Sequence, residues 1–204
     1  YAALIKFWPY DLSLSLKNYA FDLMDGGGWD SYYNSIQMAL LTAVIGTAVV
    51  FTGAYMVEKT RGFGAGRAVF QLMAMLPMAI PGMVLGLAYI FFFNKTHMSI
   101  PFTGIEFYNP FNLLYGTMAI LVISNIIHFY TVSFLTATTA IRQLDKEFES
   151  VAESMAVPFY KTLLRVTVPV CFPAILEIAV FYFVSSMATV SAVIFLYSSD
   201  NPLA

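Results

Sequence analysis

The sequence predicts an all-α fold, a polytopic membrane helical bundle, and three observations carry that reading. Apolar residues make up 59% of the 204 residues and charged residues only 11%, against about 25% charged in soluble domains. That leaves too little polar surface to skin a water-soluble globule. Aromatic residues reach 17%, with 19 Phe and 13 Tyr, which suits lipid-facing and interfacial positions. Crossing the hydrocarbon core takes about 20 apolar residues, and four segments are that long: about 35–57, 68–93, 113–136 and 170–197. The same composition excludes whole classes. A formal net charge of −2 gives no nucleic-acid partner an electrostatic footprint, and Cys171, the lone cysteine, excludes an internal disulfide or a multi-cysteine metal site.

In chain order, residues 1–34 hold Trp8, Tyr10, Tyr19, Trp29, Tyr32 and Tyr33 and read as an extracytoplasmic, interfacial segment, with no compact apolar signal-peptide core. Gly26-Gly27-Gly28 is expected to break any helix ahead of the first span. Residues 35–204 then form the transmembrane domain. Its connections alternate in charge. Lys59, Arg61 and Arg67 follow the first span, and Arg142, Lys146, Lys161 and Arg165 lie in the 137–169 loop, whereas the other side carries only Lys6, Lys17 and Lys95. The positive-inside rule places both basic loops in the cytoplasm. Gly62-Phe63-Gly64-Ala65-Gly66 follows a membrane helix and lacks a Gly-Lys-Ser/Thr ending, so it reads as a turn and not a phosphate loop. Asn94-Lys95-Thr96 fits a glycosylation sequon, a pattern common by chance. His97 and His128 have no metal-ligand spacing, and no catalytic constellation is present.

Polar and irregular positions inside the spans mark the candidate path. Pro77, Pro81 and Gly82 interrupt the second span; each proline removes a donor and crowds the preceding turn, and breaks of this kind form gates in transporters or simple kinks. Asn125 and His128 share one face of the third span. Glu177 lies at similar depth in the fourth, and an intramembrane ionisable group normally faces the interior and pairs. The expectation is a Glu177 contact with His128 or Asn125; the alternative is a Glu177 that snorkels or meets a partner subunit.

The 137–169 loop is the most informative stretch. Asp145 is a candidate N-cap with Glu147 and Glu149 favourable at a helix start. Val151, Ala152, Met155 and Ala156 form a small apolar stripe at helical spacing. Pro158 ends that helix or opens the next, and Phe159, Leu163 and Leu164 continue an amphipathic pattern to Pro169. This spells two short helices on the cytoplasmic face, which a plain re-entry loop packed under the bundle would also give.

These residues resemble the EAA loop of binding-protein-dependent ABC transporter permeases. Anchored on Val168-Pro169, the family's Glu-Ala-Ala triplet falls on Ser150-Val151-Ala152, with the acid displaced to Glu149. Ala156 stands where the family has Gly, and Ala accommodates positive φ poorly. The stretch Lys161 to Pro169, followed by Pro173-Ala174-Ile175-Leu176, matches well, as do Pro77, Ile80-Pro81-Gly82 and Asn18-Tyr19. The nearest branch is the one importing 2-aminoethylphosphonate, ferric iron, polyamines and thiamine, with Gln143 to Pro173 and Phe195-Leu196-Tyr197-Ser198-Ser199-Asp200 most like the phosphonate members.

The resemblance implies a type I importer permease core in the bacterial inner membrane, crossing it several times, with a further span expected beyond Ala204. It implies no cofactor, no metal and no enzymatic activity in this chain. ATP hydrolysis would belong to a cytosolic ABC ATPase dimer, with an extracytoplasmic substrate-binding protein and a second permease half as further partners. The coupling surface would comprise Glu149, Ser150, Val151, Ala152, Glu153, Ala156, Val157, Pro158, Phe159 and Tyr160. An alternative of another class is an ion-gradient-driven secondary transporter using Glu177 and His128 as a proton relay.

Overall fold

The computed structural model describes residues 4–7, 9–16, 19, 28–59, 64–99, 106–145, 147–189, 193 and 195–196, with the side chains of Glu149 and Glu153 outside that description. The Trp8, Asn18, Gly26-Gly27 and Gly62-Phe63 readings and the 197–204 tail therefore lie outside the described residues.

A small hairpin precedes the first helix: β1 (Ile5–Phe7) pairs antiparallel with β2 (Asp11–Leu14). Ser13 donates both its hydroxyl, at 2.6 Å, and its backbone N–H, at 3.1 Å, to the Asp11 carboxylate, holding that carboxyl below its usual range. The interfacial reading of residues 1–34 did not foresee strands here. It also placed the helix start too late: α1 runs Gly28–Lys59, 32 residues. Gly28, the last residue of the glycine run, takes φ +55 at the first position of the helix.

Among the described helices α1 is the one long and apolar enough to cross a membrane unbroken. The other apolar lengths are bent pairs. α2 (Gly64–Ala79) meets α3 (Gly82–Phe93) at 109°, and α4 (Met118–His128) meets α5 (Tyr130–Arg142) at 58°. After the loop helix α6 (Glu147–Ser154), α7 (Phe159–Thr162), a π-helical turn (Leu163–Thr167) and α8 (Val168–Val170) lead at 78° into α9 (Phe172–Ala188). Counting each pair as one span gives four, in the order expected. The details differ. The α2–α3 break falls at Ile80-Pro81, as the prolines require. The α4–α5 break at Phe129 has no proline or glycine to announce it. The fourth helix begins after Cys171 and ends at Ala188, short of the expected 197, where Thr189 turns to extended backbone at ψ 133.

α1 is the hub, packing along α9, α5 and α4, while α2 packs mainly on α5. Its contact face is small: Ala39, Ala43, Gly46, Val50 and Ala54 are all buried. Lipid tails are as apolar as the helices, so no hydrophobic drive holds helices together in a bilayer, and association rests on close packing. A Cβ on Gly46 would lie 3.1 Å from Tyr182 Cε2 and 3.2 Å from Ile126 Cγ1, so this glycine sets how near α9 and α4 approach.

Several turns at or near the breaks and helix ends have a carbonyl met by a side chain from a neighbouring segment. Pro77 cannot donate to the turn before it, and in that turn the Thr131 hydroxyl of α5 donates to the Ala74 carbonyl at 2.8 Å. Fully buried Tyr182 on α9 donates to the Ile126 carbonyl at 3.2 Å, in the last turn of α4. At the end of α3, Asn109 donates to the Phe92 and Lys95 carbonyls at 2.8 and 3.0 Å, and Asn112 to the Phe93 carbonyl at 2.7 Å. Asn109 accepts in turn from the Phe111 N–H at 3.1 Å, capping a 3-10 helix over Pro110–Leu114. This cap closes a loop that also holds the short hairpin β3 (His97–Ser99) and β4 (Glu106–Tyr108).

Gly46→Ala should lower stability by about 1–3 kcal/mol, the cost of overpacking a tight contact. Gly64→Ala, where the new methyl meets nothing within 4 Å, should cost less than about 0.5 kcal/mol. Thermal unfolding in detergent compares the two; equal midpoints would remove Gly46 as the spacing residue.

Candidate functional site

The loop between α5 and α9 folds as two short helices at the basic end of the bundle. The Asp145 carboxylate accepts the Glu147 N–H at 3.0 Å, which is the N-cap the sequence suggested and satisfies one orphan donor of α6. The end of α6 is a Schellman turn: the Val157 N–H reaches back to the Ala152 carbonyl at 2.9 Å, and the Met155 N–H bonds the Val151 carbonyl at 3.0 Å. That geometry needs a left-handed residue at the position before Val157, and Ala156 occupies it at φ +52. The turn is thus kept without glycine, at a strain of about 1–2 kcal/mol for the Cβ. Pro158, extended at ψ 141, then opens α7. Farther on, Pro169 lacks the N–H that a regular helix would use, and the chain widens into the π-helical turn, with the Val168 N–H bonding the Leu163 carbonyl.

The sequence-predicted coupling residues Ser150, Val151, Ala152, Ala156, Val157, Pro158, Phe159 and Tyr160 are all gathered on this helix pair, and the backbones of Glu149 and Glu153 lie within α6. A groove of about 750 Å³ separates the helices, walled by Phe148, Val151, Met155, Val157 and Val166 with Lys161 at its side. Large apolar side chains stand exposed on the outer surface. Met155 is 72% exposed, Phe159 67%, Leu164 63% and Tyr160 50%, and the Phe159 and Tyr160 rings stand edge to face at 6.1 Å.

Sequence reading missed the group that anchors this loop. Glu58, at the end of α1, has only 8% of its side chain exposed. One carboxylate oxygen accepts from Arg142 at 2.8 Å and the other from Arg67 at 3.1 Å. The last turns of α1 and α5 and the first turn of α2 are therefore tied at a single carboxylate. The available signal was a lone acid, Glu58, at the end of a span whose flanking loops are basic.

The intramembrane candidates fare differently. Pro77 lies inside α2, Pro81 precedes the first residue of α3, and Gly82 is that residue. Asn125 is fully buried, and its amide donates to Met38 Sδ at 3.4 Å. His128 packs edge-on against Phe129 at 4.7 Å. Glu177 meets neither of them. Ile178, Tyr182 and Ser186 form the buried stripe of α9, and a residue one position away points about 100° round the helix, so Glu177 is exposed on the outside of this chain.

No family model matches the chain. Curated sequences do match it. A ferric transport system permease protein of Actinobacillus pleuropneumoniae is 31% identical over 200 residues, covering 97% of this chain and 27% of the relative. A Haemophilus influenzae protein given the same ferric transport role is 32% identical over 197 residues, 95% of this chain and 29% of its own. The chain belongs to the ABC transporter permeases. A sulfate transport system permease protein named in Helicosporidium is 30% identical over 148 residues, 72% of this chain and 52% of the relative. The chain thus spans under a third of the length of the two ferric-named permeases. The likeness covers nearly all of this chain, bundle and loop together, and agrees with the EAA-loop resemblance read from the residues.

In this permease, Ala156→Gly should relieve the left-handed strain and stabilise α6 by about 0.5–1 kcal/mol, after the extra chain entropy of glycine is subtracted. Slower amide exchange across residues 147–157 is the expected readout; faster exchange would contradict the strain assignment.

Proposed function

We propose that this chain is part of the transmembrane permease of an ABC importer, and that its α6–α7 pair is the coupling element docking on a cytosolic ATPase dimer. The observation that carries the reading is the exposed apolar surface of Met155, Phe159, Tyr160 and Leu164 on a capped helix pair at the basic end. Contiguous exposed apolar residues mark interaction surfaces, and aromatic side chains dominate binding hot spots. Closure of the ATPase dimer would push this pair, and the bent helices would convert the push into opening toward one side or the other. The broken α2–α3 and α4–α5 pairs supply the jointed elements such rocking needs. An extracytoplasmic binding protein delivers substrate, and a second permease half completes the path in the bacterial inner membrane.

For the substrate, ferric iron is the reading supported best, since it is the role named for two relatives aligned over almost the whole chain. Sulfate comes next, from the shorter match. The 2-aminoethylphosphonate reading rests on the 143–173 run and residues 195–200 alone, and none of these three relatives carries that name. The secondary-transport alternative needs a proton relay between Glu177 and His128, and the outward placement of Glu177 gives it no support.

Phe159→Asp tests the coupling role. Phe159 is exposed, so insertion and folding should be unaffected. Loss of a hot-spot aromatic removes about 2 kcal/mol or more, roughly thirtyfold in affinity. The co-purified ATPase should therefore be lost and uptake of radioactive ferric iron abolished in reconstituted vesicles. Retention of the ATPase at wild-type yield would overturn the docking assignment. Uptake of labelled sulfate or 2-aminoethylphosphonate, with none of ferric iron, by the intact transporter would reassign the substrate.

A further inference from the structure

Glu58 is nearly buried, yet it sits at the junction between the bundle and the loop. Its two oxygens serve different helices. Arg142, at 2.8 Å, is the last residue of α5, and three residues beyond it Asp145 caps α6. Arg67, at 3.1 Å, lies in the first turn of α2, the helix that runs up to the Pro81 break. Arg67 and Arg142 are respectively 40% and 60% exposed, and the carboxylate 8%. A carboxylate so enclosed is costly to leave unpaired, so breaking either arm is disfavoured more than for a surface pair. α2 packs mainly on α5 and touches α1 only along a short seam, and the Arg67 arm adds an ion pair between the foot of α2 and the end of α1.

We propose that Glu58 is the positioning residue that makes α1, α2 and the α6 loop move as one body, passing displacement of the coupling pair through Arg142 into α1 and through Arg67 into α2. This rests on the coupling role assigned to α6–α7. The clamp joins the part that is pushed to the helix that carries the break, and it adds a polar tie to the apolar packing of Val57, Ile141 and Leu144 at that end. Each arm has its own consequence. Losing Arg67 frees α2 and leaves α1 attached to the loop; losing Arg142 or Glu58 frees both.

The test uses the complete transporter with its ATPase, nucleotide-free and trapped with ATP and vanadate. Spin labels are placed at exposed positions through Ser154→Cys on α6 with either Val69→Cys on α2 or Met56→Cys on α1, in a Cys171→Ala background. With the clamp intact, both distances should stay the same in the two states. With Glu58→Gln, both should shift on trapping by about 2 Å or more, the scale of helix shifts at interfaces. With Arg67→Gln only the Ser154–Val69 distance should shift. Arg142→Lys, which keeps charge and one hydrogen bond, should restore the fixed distances that Arg142→Gln loses. A general loss of folding would lower the thermal midpoint and broaden every distribution without this arm-by-arm pattern. Unchanged distances in Glu58→Gln, or distances that already shift in the intact protein, would overturn the proposal. Loss of ATPase binding in Phe159→Asp is scored separately, so the docking assignment and the clamp stand or fall on different readouts.

Discussion

The fold depends on one constraint: where a helix breaks in a water-poor environment, its freed carbonyls need a donor from elsewhere in the protein. Thr131 to Ala74, Tyr182 to Ile126, and Asn109 and Asn112 to Phe92, Lys95 and Phe93 are the same solution used three times. In each case a short polar or phenolic side chain on a neighbouring segment donates to a carbonyl near a helix break or a helix end. These bonds do more than stabilise. They connect α2 to α5, α9 to α4, and the outer loop to α3, so the jointed helices are fixed at their joints and not along their lengths. α1, unbroken, needs no such donor and serves as the post against which the others lean.

That division explains what the residues disclosed in advance. The α1 span, the proline break between α2 and α3, the Asp145 cap and the two loop helices follow from local chemistry: apolar run length, missing N–H groups, a carboxylate two residues ahead of a helix. The turn after α6 was legible in position, since Ala156 occupies the place where a glycine-like conformation is required, but its survival with alanine was not. The Schellman hydrogen bonds and the Pro158 start of α7 hold the turn despite the Cβ.

The rest was hidden because it is tertiary. Nothing in Ile126-Ile127-His128-Phe129-Tyr130 signals a break; it is sustained by Tyr182, 56 residues away in sequence. The Glu58 clamp joins residues 9 and 84 positions apart, and charge counting placed Arg67 and Arg142 in loops without giving either a partner. Glu177 illustrates the opposite failure. Depth along a helix was read correctly as similar to that of His128, but depth does not fix the angle round the axis, and the Ile178–Tyr182–Ser186 stripe turns Glu177 away.

The length of α1 has a consequence for how the molecule sits in its bilayer. At 1.5 Å per residue, 32 residues extend about 48 Å, against a hydrocarbon thickness of about 30 Å. Tilt alone would have to reach about 50° to absorb the excess, beyond the usual range of about 0–40°. Part of α1 therefore stands clear of the hydrocarbon at one or both ends. Trp29 and Tyr32, whose rings meet edge to face at 6.2 Å, together with Tyr33, fall in the region where one end emerges, the depth favoured by amphipathic rings. The other end carries Glu58 into the polar layer. Hydrophobic mismatch thus lifts the three-helix knot out of the lipid, so its three charged groups are held together without any of them having to lie in hydrocarbon.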